Sequence, residues 1–208
     1  MDAADEPLLE LRAVMARLRA ECPWKAEQTH RSLVRYLLEE THETVEAVDR
    51  LEAGEPGALE HLREELGDLL LQVYFHAAVA AEAGGFDIDD VARGITDKML
   101  RRNPHVFGDE AGEPGGPRDA AAVNERWQQI KAAEKSGRTT VDEGVPAGLP
   151  ALLYADKVLD RLHRAGRDVD LRHGSEDLGE RLLALVDEAR ADGVDPEQAL
   201  RDAVRRRT

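Results

Sequence analysis

Apolar residues recur every three or four positions along most of this chain, which is the spacing of one face of an α-helix. Glycine and proline interrupt the pattern, since Pro23, Gly54, Gly84 and Pro104 each fall where a periodic segment ends. The segments between them predict helices at about 7–20, 31–53, 58–83, 89–102, 119–136 and 149–163. We therefore expect an all-α fold.

The second and third predicted helices carry carboxylates on faces that are otherwise apolar. Glu40 lies on one such stripe with Glu43 one turn along, and Glu65 lies on the next with Asp68 one turn beyond. Glu55 marks the break between the helices: Glu43 is 12 residues before it and Glu65 10 after, while Glu40 is 15 before and Asp68 13 after. Because a helix rises about 1.5 Å per residue, a hairpin closed there brings all four carboxylates together.

Converging carboxylates need a cation, since burying their charges without partners is costly. Hard divalent ions that prefer oxygen ligands, Mg²⁺ or Mn²⁺, fit a cluster without a nearby cysteine. The alternative is a solvated acidic face, the usual meaning of glutamate runs in a helix.

Composition narrows the class of protein. Only 4% of the residues are aromatic, and alanine, leucine, glutamate and arginine dominate, as in helical proteins. The net charge of −15 argues against a nucleic-acid polymer as the main partner. A single cysteine, Cys22, excludes an intramolecular disulfide and agrees with a reducing compartment. The charged first twenty residues and the lack of a long apolar run predict no signal peptide and no membrane span, and hence a cytoplasmic protein.

The C-terminal part of the chain resembles the middle part. EELGDLLLQVYFHAA at 64–78 aligns with EDLGERLLALVDEAR at 176–190, so that Asp177 stands for Glu65 and Glu180 for Asp68. Nothing upstream repeats EETHE, which predicts a second unit without catalytic activity, unless two Ala/Leu/Glu-rich helices are similar by chance. The predicted domains are a catalytic one, a linker and the incomplete copy, at 1–136, 137–148 and 149–208.

Three motifs taken together, EETHE, EELGD, and DKMLRRNPHVFGD followed by WQQIK, resemble the MazG family of nucleoside triphosphate pyrophosphohydrolases. These are all-α enzymes whose signature is EExxE followed by ExxD. With CPWKAEQT and GLPAL, the similarity covers about residues 8–165. It implies a MazG-like helical bundle with a degenerate, truncated second MazG-like unit, and a homodimer.

The resemblance also implies roles for individual residues. Four carboxylates would bind the metal: Glu40, Glu43, Glu65 and Asp68. Glu39 would orient or deprotonate water, and the nucleotide would lie near Lys98, Arg102, Trp127 and Lys131, of which Lys98 and Arg102 would also act in catalysis. The implied reaction converts ribo- or deoxyribonucleoside triphosphates to monophosphate and pyrophosphate, as in clearing the nucleotide pool. Two positions depart from the family pattern, Lys25 after CPW and Asn103 before PHVF.

Two other classes of function stay open at this point. Glu39 and His42 form the ExxH spacing of ferritin-like di-metal proteins, although the other ExxH pair, Glu27 and His30, spans a predicted helix start. A non-catalytic helical dimerisation module could also retain an acidic patch.

Overall fold

The computed structural model describes residues 6–108, 119–134, 140–167, 169, 171 and 174–207. All regular structure in these ranges is helical, which confirms the all-α fold. The helices are α1 (Pro7–Glu21), α2 (Pro23–Glu27), α3 (His30–Glu52), α4 (Ala58–Glu82), α5 (Ile88–Arg102), α6 (Pro104–Phe107), α7 (Ala120–Ala133), α8 (Ala151–Arg164), α9 (Leu178–Ala191) and α10 (Pro196–Arg205).

Local sequence sets the ends of the helices that hold the predicted site. Thr29 and Ser32 form a capping box at the start of α3, in which each side chain accepts a hydrogen bond from the other residue's backbone N–H. The turn after α3 has Gly54 and Gly57 at φ of 70° and 80°, in the left-handed region that glycine adopts without strain. The predicted α3–α4 hairpin is therefore built by these caps and turns.

Two short helices were not predicted. α2 and α6 each begin with a proline at the first helical position, where its missing N–H costs no helical hydrogen bond. Sequence reasoning took Pro23 and Pro104 only as breaks, because five and four residues are too few to show a helical period.

α1 covers one face of the α3–α4 hairpin. Met15, Leu33, Tyr74 and Phe75 form the buried cluster between them. Tyr74 donates a hydrogen bond from its hydroxyl to the carbonyl of Leu8 at 3.0 Å. The carboxylate-bearing helices thus rest on a small apolar core.

Arg19 links α1 to α2 and α4 through an ion pair and hydrogen bonds. Its side chain is 8% exposed, pairs with the carboxylate of Glu82, and donates to the backbone carbonyls of Lys25 and Gln28. The ammonium of Lys25 lies 5.2 Å from the ring centroid of Phe75. Lys25, where the chain departs from the family pattern, therefore helps to pack α2 against α4.

One predicted buried face is exposed. Val91, Ile95 and Met99 recur at helical spacing in DDVARGITDKMLRR, which predicts an inward face, but Ile95 is 48% exposed and Met99 is also accessible. On α4, the helix with the most buried residues, Leu59, Leu66 and Val73 are exposed as well. In the single chain these apolar side chains are thus partly or largely open to solvent.

The chain divides into two compact units, Met1–Trp127 and Gln128–Thr208, and the division falls inside α7. In the second unit α8 packs against α9 and α10, with Leu159, Ala184 and Val186 buried. Asp177, the predicted counterpart of Glu65, is the N-cap of α9 and accepts a hydrogen bond from the backbone N–H of Glu180 at 3.0 Å. The predicted domain limits stay a prediction.

Candidate functional site

The α3–α4 hairpin brings three of the predicted carboxylates together. Glu40 and Glu43 of α3 and Glu65 of α4 each offer a carboxylate oxygen, and the three oxygens lie within 4.8 Å of one another. The Glu65 side chain is only 12% exposed, whereas Glu43 opens to solvent. We call these three residues the carboxylate cluster.

Asp68 lies outside the cluster but acts on it electrostatically. The pKa of Glu40 is raised, first by burial and next by the negative charge of Asp68. The charges of Glu43 and Glu65 and a hydrogen bond with Glu43 raise it further. Four carboxylates therefore concentrate negative charge at this point, although only three come within shared ligand distance.

Thr44 joins the two helices at the level of the cluster. Its hydroxyl donates to the carbonyl of Glu40 at 2.8 Å and lies 3.5 Å from the carbonyl oxygen of Glu65. A hydroxyl between the two backbones helps to set the relative height of α3 and α4, on which the cluster depends. The sequence pattern showed Thr44 only as one position on a helix face.

The donor set fits a hard divalent cation. All three side chains are carboxylates, the ligands that Mg²⁺, Mn²⁺ and Ca²⁺ prefer. Ligand oxygens bound to one Mg²⁺ lie roughly 3 to 4 Å apart, so a small side-chain rotation lets the cluster close on an ion. Among the described residues this is the one group of three or more acidic, histidine or cysteine side chains that meets at such distances.

Two predicted nucleotide-binding residues meet on other helices. Arg102, in the last turn of α5, is 5% exposed, and its guanidinium carbon lies 5.0 Å from the centroid of the Trp127 ring on α7. Lys98 precedes Arg102 by one turn and is partly buried, and Lys131 follows Trp127 by one turn in the second unit. Arg102 is thus buried, where a helix C-terminus would more commonly hold a solvated cation.

Comparison with known proteins identifies the family. The family model of the MazG nucleotide pyrophosphohydrolase domain matches residues 28–107. The nucleoside triphosphate pyrophosphohydrolase/pyrophosphatase MazG of Thermotoga maritima is 36% identical, over 95% of this chain and 81% of the relative. The nucleoside triphosphate pyrophosphohydrolase of Escherichia coli K12 is 36% identical, over 93% and 81%, and an uncharacterised 26.1 kDa protein of Streptomyces cacaoi is 48% identical, over 94% and 77%. The chain belongs to the MazG family.

The MazG match contains both carboxylate motifs and α5, but it ends before Trp127 and Lys131. Asn103, the second departure from the MazG pattern, donates its side-chain amide to the carbonyl of Met99 at 2.8 Å and so helps to end α5. No described helix is long and apolar enough to span a membrane.

Glu39 and His42, the residues of the ExxH spacing, each contact another residue of α3. Glu39 is 52% exposed and lies 3.5 Å from the guanidinium of Arg35. The Nδ1 of His42 lies 2.7 Å from the carbonyl of Leu38, one turn earlier in the same helix. His42 therefore bonds to its own MazG helix, which gives a ferritin-like site no support.

Sequence reasoning missed His61. Its Nδ1 lies 3.4 Å from Oε1 of Glu65, one turn further along α4. The i and i+4 spacing of His61 and Glu65 was the available signal, since such pairs are neighbours on a helix. His61 therefore places an imidazole beside the carboxylate cluster.

Proposed function

We propose that this chain is a divalent-metal-dependent nucleoside triphosphate pyrophosphohydrolase. Water would break the P–O bond between the α and β phosphates of a ribo- or deoxyribonucleoside triphosphate, giving the monophosphate and pyrophosphate. The observation that carries the proposal is the carboxylate cluster, which lies within the residues matched by the MazG domain. Relatives matched over most of their length bear the names of this activity.

The cluster, with Asp68, would hold one or two Mg²⁺ ions, and Mn²⁺ has the same preference for carboxylate oxygen. A bound ion supplies charge neutralisation at the phosphate oxygens. Glu39 would orient or deprotonate the attacking water from the neighbouring position on α3. The raised pKa of Glu40 supports metal binding by the cluster, because a nearby cation would relieve the repulsion between carboxylates that contributes to it.

Lys98 and Arg102 would neutralise the charge that develops on the departing pyrophosphate, and Lys131 would add a third cation near the nucleotide. Arg102 lies in the last turn of α5 and Lys98 one turn before it, so these two side chains can act on one ligand. Such positioning and neutralisation account for most of phosphoryl-transfer catalysis.

A homodimer and a housecleaning role in the cytoplasm complete the proposal. The exposed Leu59, Leu66 and Val73 on α4 support a second copy as the cover of this face, since a monomer rarely exposes contiguous apolar surface. Light scattering would give twice the 23.0 kDa chain mass, and one chain mass at working concentration would contradict the dimer.

We further propose that the second unit is a degenerate copy without catalytic activity. Its support is Asp177, whose carboxylate is used to cap α9. D177N retains a good helix cap and should leave turnover unchanged, whereas the matched change E65Q should abolish it. Loss of activity in D177N would show that the second unit takes part in the reaction.

Product analysis tests the activity. The full chain, with a panel of ribo- and deoxyribonucleoside triphosphates and Mg²⁺, should release pyrophosphate and monophosphate. Orthophosphate with a diphosphate would refute the reaction, and the absence of any product would favour a non-catalytic module. E40Q and D68N should remove turnover while the helical circular dichroism is retained. Iron binding with oxygen consumption would instead indicate a ferritin-like protein.

A further inference from the structure

Arg102 and Trp127 form a contact that bears on how the nucleotide is held. Arginine is rarely buried to this extent unless its charge is compensated. The distance of 5.0 Å between guanidinium carbon and ring centroid lies within the range of a cation–π interaction, and tryptophan is the ring with the strongest attraction for cations. The ring is therefore one of the groups that stabilise the buried charge.

The contact also limits what Trp127 can do. The guanidinium over the indole occupies one of the two faces on which a nucleobase could stack. A guanidinium carries its N–H donors in its own plane, where anionic oxygens can be bound in a bidentate manner. An indole under Arg102 thus suits an arginine that receives phosphate oxygens better than it suits a stacking base.

We propose that Trp127 is a positioning residue that acts through Arg102. Its ring holds the guanidinium for the polyphosphate chain of the substrate, and its contribution to binding is independent of the base. This inference rests on the proposed function, in which Arg102 contacts the pyrophosphate portion of the nucleotide. It assigns to Trp127 a role different from base stacking and from core packing.

Inorganic tripolyphosphate separates these roles, because it has the phosphate chain but neither base nor sugar. The experiment uses the full chain with W24F, which leaves Trp127 as the remaining tryptophan, since the sequence has two. Trp24 contacts Tyr36 and Lys25, neither of which is assigned to the nucleotide, so W24F should bind like the wild type. Affinities for tripolyphosphate and for a nucleoside triphosphate are then measured from Trp127 fluorescence, or by calorimetry for variants at residue 127.

W127L should weaken both ligands by the same factor, about fivefold to thirtyfold, the range expected for a cation–π contact. W127F keeps an aromatic face and should recover most of this loss. R102K should reduce the affinity for both ligands as much as W127L does. The double variant should reduce it little further, because the two residues act as one unit. A merely structural tryptophan would give no such coupling and no matched loss in tripolyphosphate affinity.

A loss confined to the nucleotide, with tripolyphosphate binding unchanged, would assign Trp127 to the base and overturn the proposal. Additive losses in the double variant, or a wild type that does not bind tripolyphosphate, would overturn it as well. If W127L does not fold, W127F carries the test, since it must weaken both ligands by one smaller factor. Failure of the proposed function is distinct: the wild type would then release no pyrophosphate, whatever the pattern of binding.

Discussion

Replacing Glu40 by glutamine should stabilise the metal-free protein. Two unit charges 4.8 Å apart repel by about 0.9 kcal/mol in water and by about 3.5 kcal/mol at the effective dielectric constant of a protein surface. Glu40 has two carboxylates within that distance and Asp68 beyond them. Because part of the repulsion is relieved by solvent and by the shared hydrogen bond with Glu43, we expect a gain of about 1–3 kcal/mol at neutral pH.

The pH dependence follows from the raised pKa of Glu40. Stability associated with the protonated group is fully present below its unfolded pKa and is lost as the pH rises through the higher folded pKa. E40Q cannot lose a proton there, so its advantage should be present at pH 7 and absent at about pH 4. For a chain of this length it corresponds to a melting temperature higher by about 2–4 °C per kcal/mol.

Adding Mg²⁺ should reverse the order of stability. A ligand at a hundred times its dissociation constant stabilises the folded state by about 2.7 kcal/mol, and E40Q should lose most of that increment. Thermal unfolding by circular dichroism in EDTA and in Mg²⁺ measures both effects. E39Q is the control: Glu39 is exposed and outside the cluster, so its melting temperature and its response to Mg²⁺ should match the wild type. An E40Q protein that is less stable than the wild type in EDTA at pH 7 would refute the electrostatic argument.

Three further substitutions test other contacts of the first unit. Burial and the neighbouring His30 lower the pKa of His76, so stability should fall as the pH drops from about 6.5 through the lower folded pKa. Urea unfolding measures this, and H76F should remove most of the pH dependence in that range. T44V removes the hydroxyl between α3 and α4, and should lower the free energy of unfolding by about 0.5–1.5 kcal/mol and weaken Mg²⁺ binding in calorimetry. A loss of stability with unchanged Mg²⁺ affinity would refute a link between Thr44 and the cluster. R19M removes the contacts to Glu82, Lys25 and Gln28 and should lower the free energy of unfolding in urea by about 1–3 kcal/mol. An unchanged free energy of unfolding would show that these contacts do not stabilise the fold.

The position of the site could be predicted because helical spacing and the hairpin turn depend on local sequence. Glu40, Glu43 and Glu65 meet as counting from Glu55 suggested. Asp68 lies outside this group, although its negative charge still acts on Glu40. Matching heights on two helices therefore predicted three members of the set and placed the fourth only approximately.

The contact between Arg102 and Trp127 had no comparable signal. It joins α5 and α7, which are separated in the chain by a Gly/Pro-rich stretch, and no spacing rule relates residues on helices so connected. The exposure of Ile95 and Met99 was mispredicted for a related reason. A periodic pattern shows which face of a helix is apolar, but it does not show what covers that face.

The cap of α9 bears on whether the second unit could bind a metal as the α3–α4 hairpin is proposed to do. Asp177 now satisfies a backbone N–H at the start of a helix, and the helix begins one residue after it. In α4 the corresponding position, Glu65, has seven helical residues before it and a partner helix opposite. No single substitution supplies the missing helical turns, the EETHE segment and a new cap together. Under the proposed origin of the second unit as a degenerate copy, a metal site there would therefore need several coordinated changes of structure.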